Sequence, residues 1–442
     1  MKVKRLTMRS FRGIDDLTLD FDPNITVLIG NNGVGKSSVL NSLSTLLADL
    51  TGRLRTSTGS EIMEGDSRQF FSESDIKDGA QESSVSVQAS FLSLADVEIE
   101  RTTEQKALDL ENISWSLTKF QKNQGKGSLR DSGQLHLIVD RLHEQFFSSN
   151  PNLFLLVFYP VNRTVPDIPL KALSTEQSHA FQQLQAYDQS LINSRLDFAL
   201  FFTWFKQQED LENELRLNDN PDHRDRYLEA IRKAIPELLP GFSNLRVRRS
   251  PLRMTVQKQG QELIINQLSD GEKCLLAMVG DLARRLAIAN PGLPDPLQGE
   301  GVVLIDEIEL HLHPEWQRRI IPSLTRTFPN CQFIITTHSP QILGEIQDGI
   351  VYRLSSSPSG VIAEKIQTYG RDSNQILEDV MGVSERSHTF KDDLRRLFRL
   401  IEDGNLDEAK KLQQELEHLI KYDEPEFAKS DALIRRKEVL GR

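Results

Sequence analysis

Residues 3–9 (VKRLTMR) and 15–21 (DDLTLDF) alternate apolar and polar side chains, the period expected of half-buried strands. Residues 24–30 (NITVLIG) are a short apolar run ending in glycine and predict a buried strand. Leu40, Leu43, Leu46 and Leu47 then recur at three- and four-residue spacing, which predicts a helix with those leucines on its inner face. The polar stretch 51–67 reads as a mobile loop. SVSVQASFLSL (84–94), VEIERTT (97–103) and ISWSLTKF (113–120) predict an antiparallel meander, and 121–133 a turn or flexible loop. LHLIVDRLHEQFF (135–147) reads as helix and NLFLLVFYP (152–160) as another buried strand.

From 171 to 239 strand signals thin out, and LDFALFFTWFKQQEDLENELRL (196–217) and DHRDRYLEAIRKAIPELL (222–239) predict two amphipathic helices. Residues 244–265 predict a β hairpin and 270–289 a helix. A Gly/Pro linker, 290–299, leads to two apolar runs, GVVLIDE (301–307) and CQFIITTHS (331–339), flanking a helix at 314–327. Beyond 370 the pattern is helical and highly charged, and no period of 20–50 residues marks a solenoid.

Composition narrows the class. The 442 residues are 38% hydrophobic and 26% charged, enough for a sizeable core and two or three domains. The net charge of −11 argues against a protein that coats nucleic acid, though a local basic patch stays open. Two cysteines, Cys274 and Cys331, make no disulfide framework and suit a reducing compartment. Neither a signal-peptide pattern nor an 18-residue apolar run is present, so the expectation is a soluble cytoplasmic chain.

Gly30-Asn31-Asn32-Gly33-Val34-Gly35-Lys36-Ser37 fits G-x-x-x-x-G-K-[ST] and stands between a predicted strand and helix, with Ser38 continuing into the helix. Glycines let backbone N–H groups approach phosphates at a helix N-terminus. Lys36 would reach the β- and γ-phosphates of ATP, and Ser37 would coordinate Mg2+. The strand 301–305 runs into Asp306 and Glu307. Beside such a loop, Asp306 would hold the metal and Glu307 would polarise the attacking water. Ser269 of LSDGEK (268–273) is a natural N-cap, and His338 follows the next apolar run. His311 and His313 are two apart and read better as part of a loop than as a metal site.

In this order the motifs resemble the ABC-type ATPases of the RecF and SMC kind, over roughly residues 1–370. The resemblance implies an α/β P-loop ATPase head with an antiparallel β meander, a helical lobe and a C-terminal helical tail. It implies that Ser269, Gly271 and Glu272 form a signature facing the γ-phosphate of ATP on a second subunit. It also implies that His338 senses that phosphate, and that two heads sandwich two nucleotides head to tail. The gap from Ser37 to Ser269 lacks the sustained heptads of a long SMC coiled coil. The usual glutamine loop has no clear match; Asn162 and Arg163 occupy a plausible position, with a solvated loop as the other reading.

FFTWFKQQEDLENE (201–214), NQLSDGEKCLLAMVGDLARRLAIANP (266–291), LIDEIELHLHPEWQRRIIPSL (304–324) and QFIITTHSPQIL (332–343) are similar to the PtuA ATPases of Septu and retron-linked antiphage systems. YGRDSNQILEDVMGV (369–383) and LFRLIEDGNLDEAKKLQQEL (397–416) look like the C-terminal helices of that family. This resemblance implies phage defence and an HNH-type partner nuclease resembling PtuB. The chain has no H-N-H constellation and no Toprim-like acidic set, so it is not expected to be a nuclease itself.

The expected division is 1–165 and 296–370 for the ATPase lobe, 166–295 for the helical lobe with hairpin and signature, and 371–442 for an assembly tail. Leu394, Leu397, Phe398, Leu400 and Ile401 share one tail helix and read as a docking surface, to be buried on the chain's own head, on another subunit or on the nuclease; a solvated charged face is the other reading. Arg246, Arg248, Arg249 and Arg253 of the hairpin offer a possible DNA contact or a solvated surface. Two other functions stay open: a RecF-like repair ATPase clamped on DNA, and a nucleotide-sensing scaffold of low turnover.

Overall fold

The alternation at the start of the chain becomes β1 (Lys2–Phe11) and β2 (Ile14–Asp20), paired antiparallel with their apolar residues inward. The apolar run becomes β3 (Ile25–Gly30), and the leucine spacing becomes α1 (Lys36–Thr56). This computed structural model describes residues 1–56, 72–92, 110–121, 128–148, 152–163, 182–192, 194, 196–218, 220–358, 360–420 and 424–440. The chain divides into two units, Met1–Asp372 and Ser373–Arg442. No helix among the described residues is long and apolar enough to cross a membrane.

In the first unit, β4 (Glu82–Ser90), β5 (Ile113–Phe120) and β6 (Ser128–Asp131) complete a five-stranded antiparallel sheet in the order β2-β1-β4-β5-β6. The third predicted meander strand, 97–103, lies outside the described residues. The Trp115 indole N–H donates to the Leu46 carbonyl at 2.9 Å and pins α1 to this sheet. Then come α2 (Leu135–Ser148), β7 (Leu155–Tyr159), α3 (Phe198–Asn218) and α4 (Arg226–Leu238). Phe198, Phe201 and Phe205 pack as tilted rings along the buried face of α3, with centroids 5.5 and 5.9 Å apart.

A small sheet follows: β8 (Phe242–Arg249), β9 (Leu252–Lys258) and β10 (Gln261–Ile264). It leads into α5 (Asp270–Ala289), β11 (Gly301–Ile305), α6 (Pro314–Thr327), β12 (Cys331–Thr336), α7 (Pro340–Leu343), β13 (Ile350–Ser357) and β14 (Gly360–Ile366). The central sheet has the order β14-β13-β3-β12-β11-β7. All its neighbours pair in parallel except the edge strand β14. Every residue of β7, β11 and β12 is buried, as in a parallel sheet covered on both faces. The first unit is thus an α/β fold: a mainly parallel central sheet with a glycine-rich loop between β3 and α1, beside an antiparallel meander.

Four local readings need correction. Residues 51–56 continue α1, because Leu54 faces inward with the other leucines. Residues 128–131 form an edge strand, although all four are exposed and give no apolar signal. The region after 244 has three strands, because a second turn at Gly260 returns the chain along β9. The strands β13 and β14 went unread. The hairpin also offers less free cationic charge than its arginine count suggests. Arg248 forks onto the Glu262 carboxylate, and Arg249 binds Glu209 and Asp210.

In the second unit, α8 (His388–Glu402), α9 (Leu406–Ile420) and α10 (Pro425–Leu440) surround their own core. Leu394, Leu397, Ile401, Ala409, Leu416, Phe427 and Ile434 are buried together, with Phe398 and Leu400 packed against them. The apolar stripe read as a possible docking face is therefore internal to this unit.

Candidate nucleotide-binding site

The loop between β3 and α1 is shaped by its glycines. Gly30, Gly33 and Gly35 have φ of 146°, 79° and 114°, values that side chains resist. A Cβ at Gly30 would lie 2.3 Å from the Leu354 carbonyl oxygen. The loop ends at the first turn of α1, whose free N–H groups favour anions. Asn31, Asn32, Gly33 and Ser37 are exposed, Ser38 is half-buried and Val34 packs inward. Lys36 is 6% exposed, and its ammonium donates to the carbonyls of Gly30 at 2.8 Å and Asn31 at 3.1 Å. Burial lowers the Lys36 pKa, opposed by the negative charges of Asp306, Glu307 and Glu309. Three carboxylates thus lie within electrostatic range of the loop.

They get there through strand order. β11 delivers Asp306 and Glu307 one strand beyond β12, which lies beside β3. Asp306 is 4% exposed, and the Thr336 hydroxyl donates to its Oδ1 at 2.5 Å. The same hydroxyl accepts the Glu307 N–H at 2.7 Å. Thr336 thereby fixes the backbone of one acid and the side chain of the other. Glu307 has φ of 47°, in the left-handed region, and there the chain turns off the strand. Two residues on, Glu309 Oε1 accepts the His338 N–H at 2.5 Å. Its Oε2 is buried and meets no hydrogen-bond partner among the described residues. The loop, the acidic pair and His338 therefore gather at the carboxyl edge of one parallel sheet, where ligands of such sheets bind.

Ser269 caps α5. Its hydroxyl accepts the Glu272 N–H at 3.4 Å, and Glu272 Oε2 accepts the Ser269 N–H at 3.0 Å. Such a reciprocal pair satisfies two donors that would otherwise be orphaned. Glu272 also accepts from the Lys258 ammonium of β9 at 2.6 Å. Burial alone would raise its pKa, but Lys258 and the Ser269 bonds prevail and hold the carboxyl below its usual range. Glu272 is buried and occupied within the chain, while Ser269 is exposed. At Gly271 a Cβ would lie 2.0 Å from the His311 carbonyl oxygen, so the loop after the acidic pair presses on the start of α5. His313 caps α6, its Nδ1 accepting the Glu315 N–H at 3.3 Å.

Of the glutamine-loop candidates, Asn162 is exposed and Arg163 is 3% exposed, so for Arg163 the solvated-loop reading fails. Sequence reasoning missed Thr336 and Glu309. The only trace was a threonine at the end of an apolar run and a third acid close after the pair. It also missed a buried group on α5. There Asp281 binds Arg284 at 2.7 Å and Arg285 at 2.6 Å and accepts the Tyr159 hydroxyl at 3.0 Å.

Residues 25–344 match the family model described as "AAA domain, putative AbiEii toxin, Type IV TA system". The "Retron Ec83 probable ATPase" of Escherichia coli is 30% identical over 446 residues, covering 87% of this chain and 77% of that protein. The "Retron Vc95 probable ATPase" of Vibrio cholerae is 32% identical, covering 73% and 67%. The "Septu protein PtuA" of Bacillus thuringiensis is 24% identical, covering 87% and 85%. Among solved structures, the Smc head bound to the C-winged helix domain of ScpA is 15% identical, covers 83% of this chain and 98% of its own, and has a TM-score of 0.47.

Proposed function

We propose a function from one premise: this chain belongs to the AAA-domain family matched over residues 25–344, together with the retron and Septu ATPases. It binds ATP at the loop 30–38 and hydrolyses it, and in this way controls a separate effector nuclease of the HNH kind in phage defence. The observation that carries the reading is the meeting of Lys36, Asp306 and Glu307 at one sheet edge.

The carbonyls of Gly30 and Asn31 now take the hydrogen bonds that phosphate oxygens would accept from Lys36. ATP would exchange them for bonds charged at both ends, ammonium to phosphate, which are stronger. The residues present suit Mg2+. Ser37 presents an exposed hydroxyl, and Asp306 has one oxygen oriented by Thr336, an all-oxygen set of the kind hard cations take. When bound there, the ion would neutralise charge on the β- and γ-phosphates. Glu307 would accept the proton of the attacking water, and Thr336 keeps its backbone in place for that. His338, held through its N–H by Glu309, would face the γ-phosphate.

Ser269 would act in trans. At its exposed position the hydroxyl, while accepting the Glu272 N–H, can still donate its proton to the γ-phosphate of a second copy in a head-to-tail sandwich. Glu272 would hold Ser269 in place, and Gly271 would let the loop at His311 approach. The tail 371–442 would add an assembly surface through its exposed residues.

The test has two parts. ATP binding and phosphate release should both be present in the wild type, with binding weakened at least about tenfold in Lys36→Ala. An HNH-type nuclease encoded beside this chain should co-purify with it, and that nuclease's activity should change with nucleotide. Absence of ATP binding sinks the ATPase reading. An ATPase that neither binds nor alters such a nuclease sinks the effector reading alone.

A further inference from the structure

We propose that Arg163 is a positioning residue for ATP hydrolysis, holding the backbone turn that aims Asp306 and Glu307. The inference rests on the ATPase reading and adds a residue to it. One guanidinium nitrogen donates to the Asp306 carbonyl at 2.6 Å and another to the Glu307 carbonyl at 2.6 Å. A planar guanidinium reaches two adjacent acceptors at once, which an ammonium on one stem cannot do with the same geometry.

The bonds fall where the backbone needs them. Glu307 is a non-glycine residue at φ of 47°, a conformation that costs about 1–2 kcal/mol. Such a turn persists only when its surroundings over-determine it. Here the Glu307 N–H is held by Thr336 and its carbonyl by Arg163. Asp306 is gripped from both sides by the segment that ends β7: its N–H donates to the Tyr159 carbonyl at 2.9 Å, and its carbonyl accepts from Arg163. The fork thus fixes the peptide units whose side chains would hold the metal and polarise the water.

The segment that ends in Arg163 is tied to α5, because Tyr159 of β7 donates to Asp281 of α5 at 3.0 Å. Cys274, five residues beyond Ser269, feels the Arg163 charge, which opposes the rise that burial gives its pKa. The segment 159–163 therefore meets both the hydrolytic turn and the helix whose N-terminus would face the second nucleotide. A displacement of α5 on closure of two heads would reach Asp306 and Glu307 through this segment.

The experiment uses the full chain with Arg163→Lys and Arg163→Met. ATP affinity is measured in EDTA, phosphate release in a single turnover with Mg2+, and the unfolding midpoint in parallel. In Arg163→Met, phosphate release should fall about 10–100-fold, as when a residue behind a metal ligand is removed. Affinity without metal should stay within about threefold, since Lys36 and the loop amides still hold the phosphates. Arg163→Lys keeps the charge and one donor, so its release should lie between wild type and Arg163→Met. If Arg163→Met does not fold, Arg163→Lys decides: reduced release at wild-type affinity supports the role, and wild-type release refutes it. Equal losses of affinity, release and midpoint would make the residue purely structural and overturn the proposal. A wild type that neither binds ATP nor releases phosphate would remove the ATPase reading and this role with it. Wild-type turnover in both variants would remove this role alone.

Discussion

Lys36 and Glu307 can be separated by substitution because they act on different atoms. Lys36→Ala removes a charged donor aimed into the loop, and each such bond contributes about 1.5–3 kcal/mol. ATP affinity should fall at least about tenfold, read by equilibrium binding. Glu307→Gln keeps size, the N–H bond to Thr336 and the left-handed turn, but removes the base. Binding should persist while phosphate release falls about 10²–10⁴-fold in a single turnover; release at the wild-type rate would exclude Glu307 as the base. These residues were legible because each belongs to a short string with a local meaning. Thr336 and Glu309 were not, because their partners lie 30 and 29 positions away; Arg163 was marked only by its place after β7, its carbonyl partner lying 143 positions on. Nothing around Arg163 in the sequence announces a carbonyl contact.

At the scale of elements, α5 and α6 were read to their ends because caps mark them: Ser269 before one, His313 and Pro314 before the other. β6 could not be read, since an edge strand exposed at every position needs no apolar pattern. β13 was hidden for a related reason, its second half being a run of serines held by pairing to β14. α5 also carries a testable ionic group. Burial alone would raise the Asp281 pKa, but Arg285 and Arg284 outweigh it and bring it to about 2, against an ordinary 3.8. A depressed carboxylate stabilises the fold above its unfolded value and loses that contribution as pH falls through the folded one. Acid unfolding should therefore steepen between about pH 4 and pH 2, and Asp281→Asn should flatten that stretch of the curve. At neutral pH the same variant leaves two buried guanidinium groups without their carboxylate. It should cost about 3–5 kcal/mol in denaturant titration; an unchanged midpoint would show the arginines re-paired elsewhere.

For the whole molecule, the proposed sandwich and the tail give distinct signatures. Ser269→Arg leaves the loop 30–38 untouched, so ATP should still bind, yet it would obstruct the phosphate of a second copy. Alone it should lose ATP-dependent dimerisation, measured as molar mass in solution. Mixed with Lys36→Ala it should regain one working site per pair, and normal turnover by the single variant would contradict the sandwich. The tail answers to its own core. Leu397 is fully buried between its helices, so Leu397→Ala should destabilise the unit by about 2–5 kcal/mol while ATP affinity holds. Charged replacements at Leu397 and Phe398 would unfold the unit, so assembly is better probed at its exposed residues.

The position of β3 sets a timetable for synthesis. It is translated about three hundred residues ahead of its sheet neighbours, β12 at 331–336 and β13 at 350–357. At about 5–20 residues per second, an apolar strand and its glycine loop wait roughly 15–60 s for the neighbours that will flank them. During that interval the nascent chain carries an unpaired hydrophobic edge, the kind of surface that recruits chaperones or neighbouring chains. Ribosome-bound chains halted before β12 should be cut readily by protease within residues 25–30, and chains halted well past β13 should resist. Early protection would mean that β3 finds a temporary shelter, with the five-stranded meander already folded beside it.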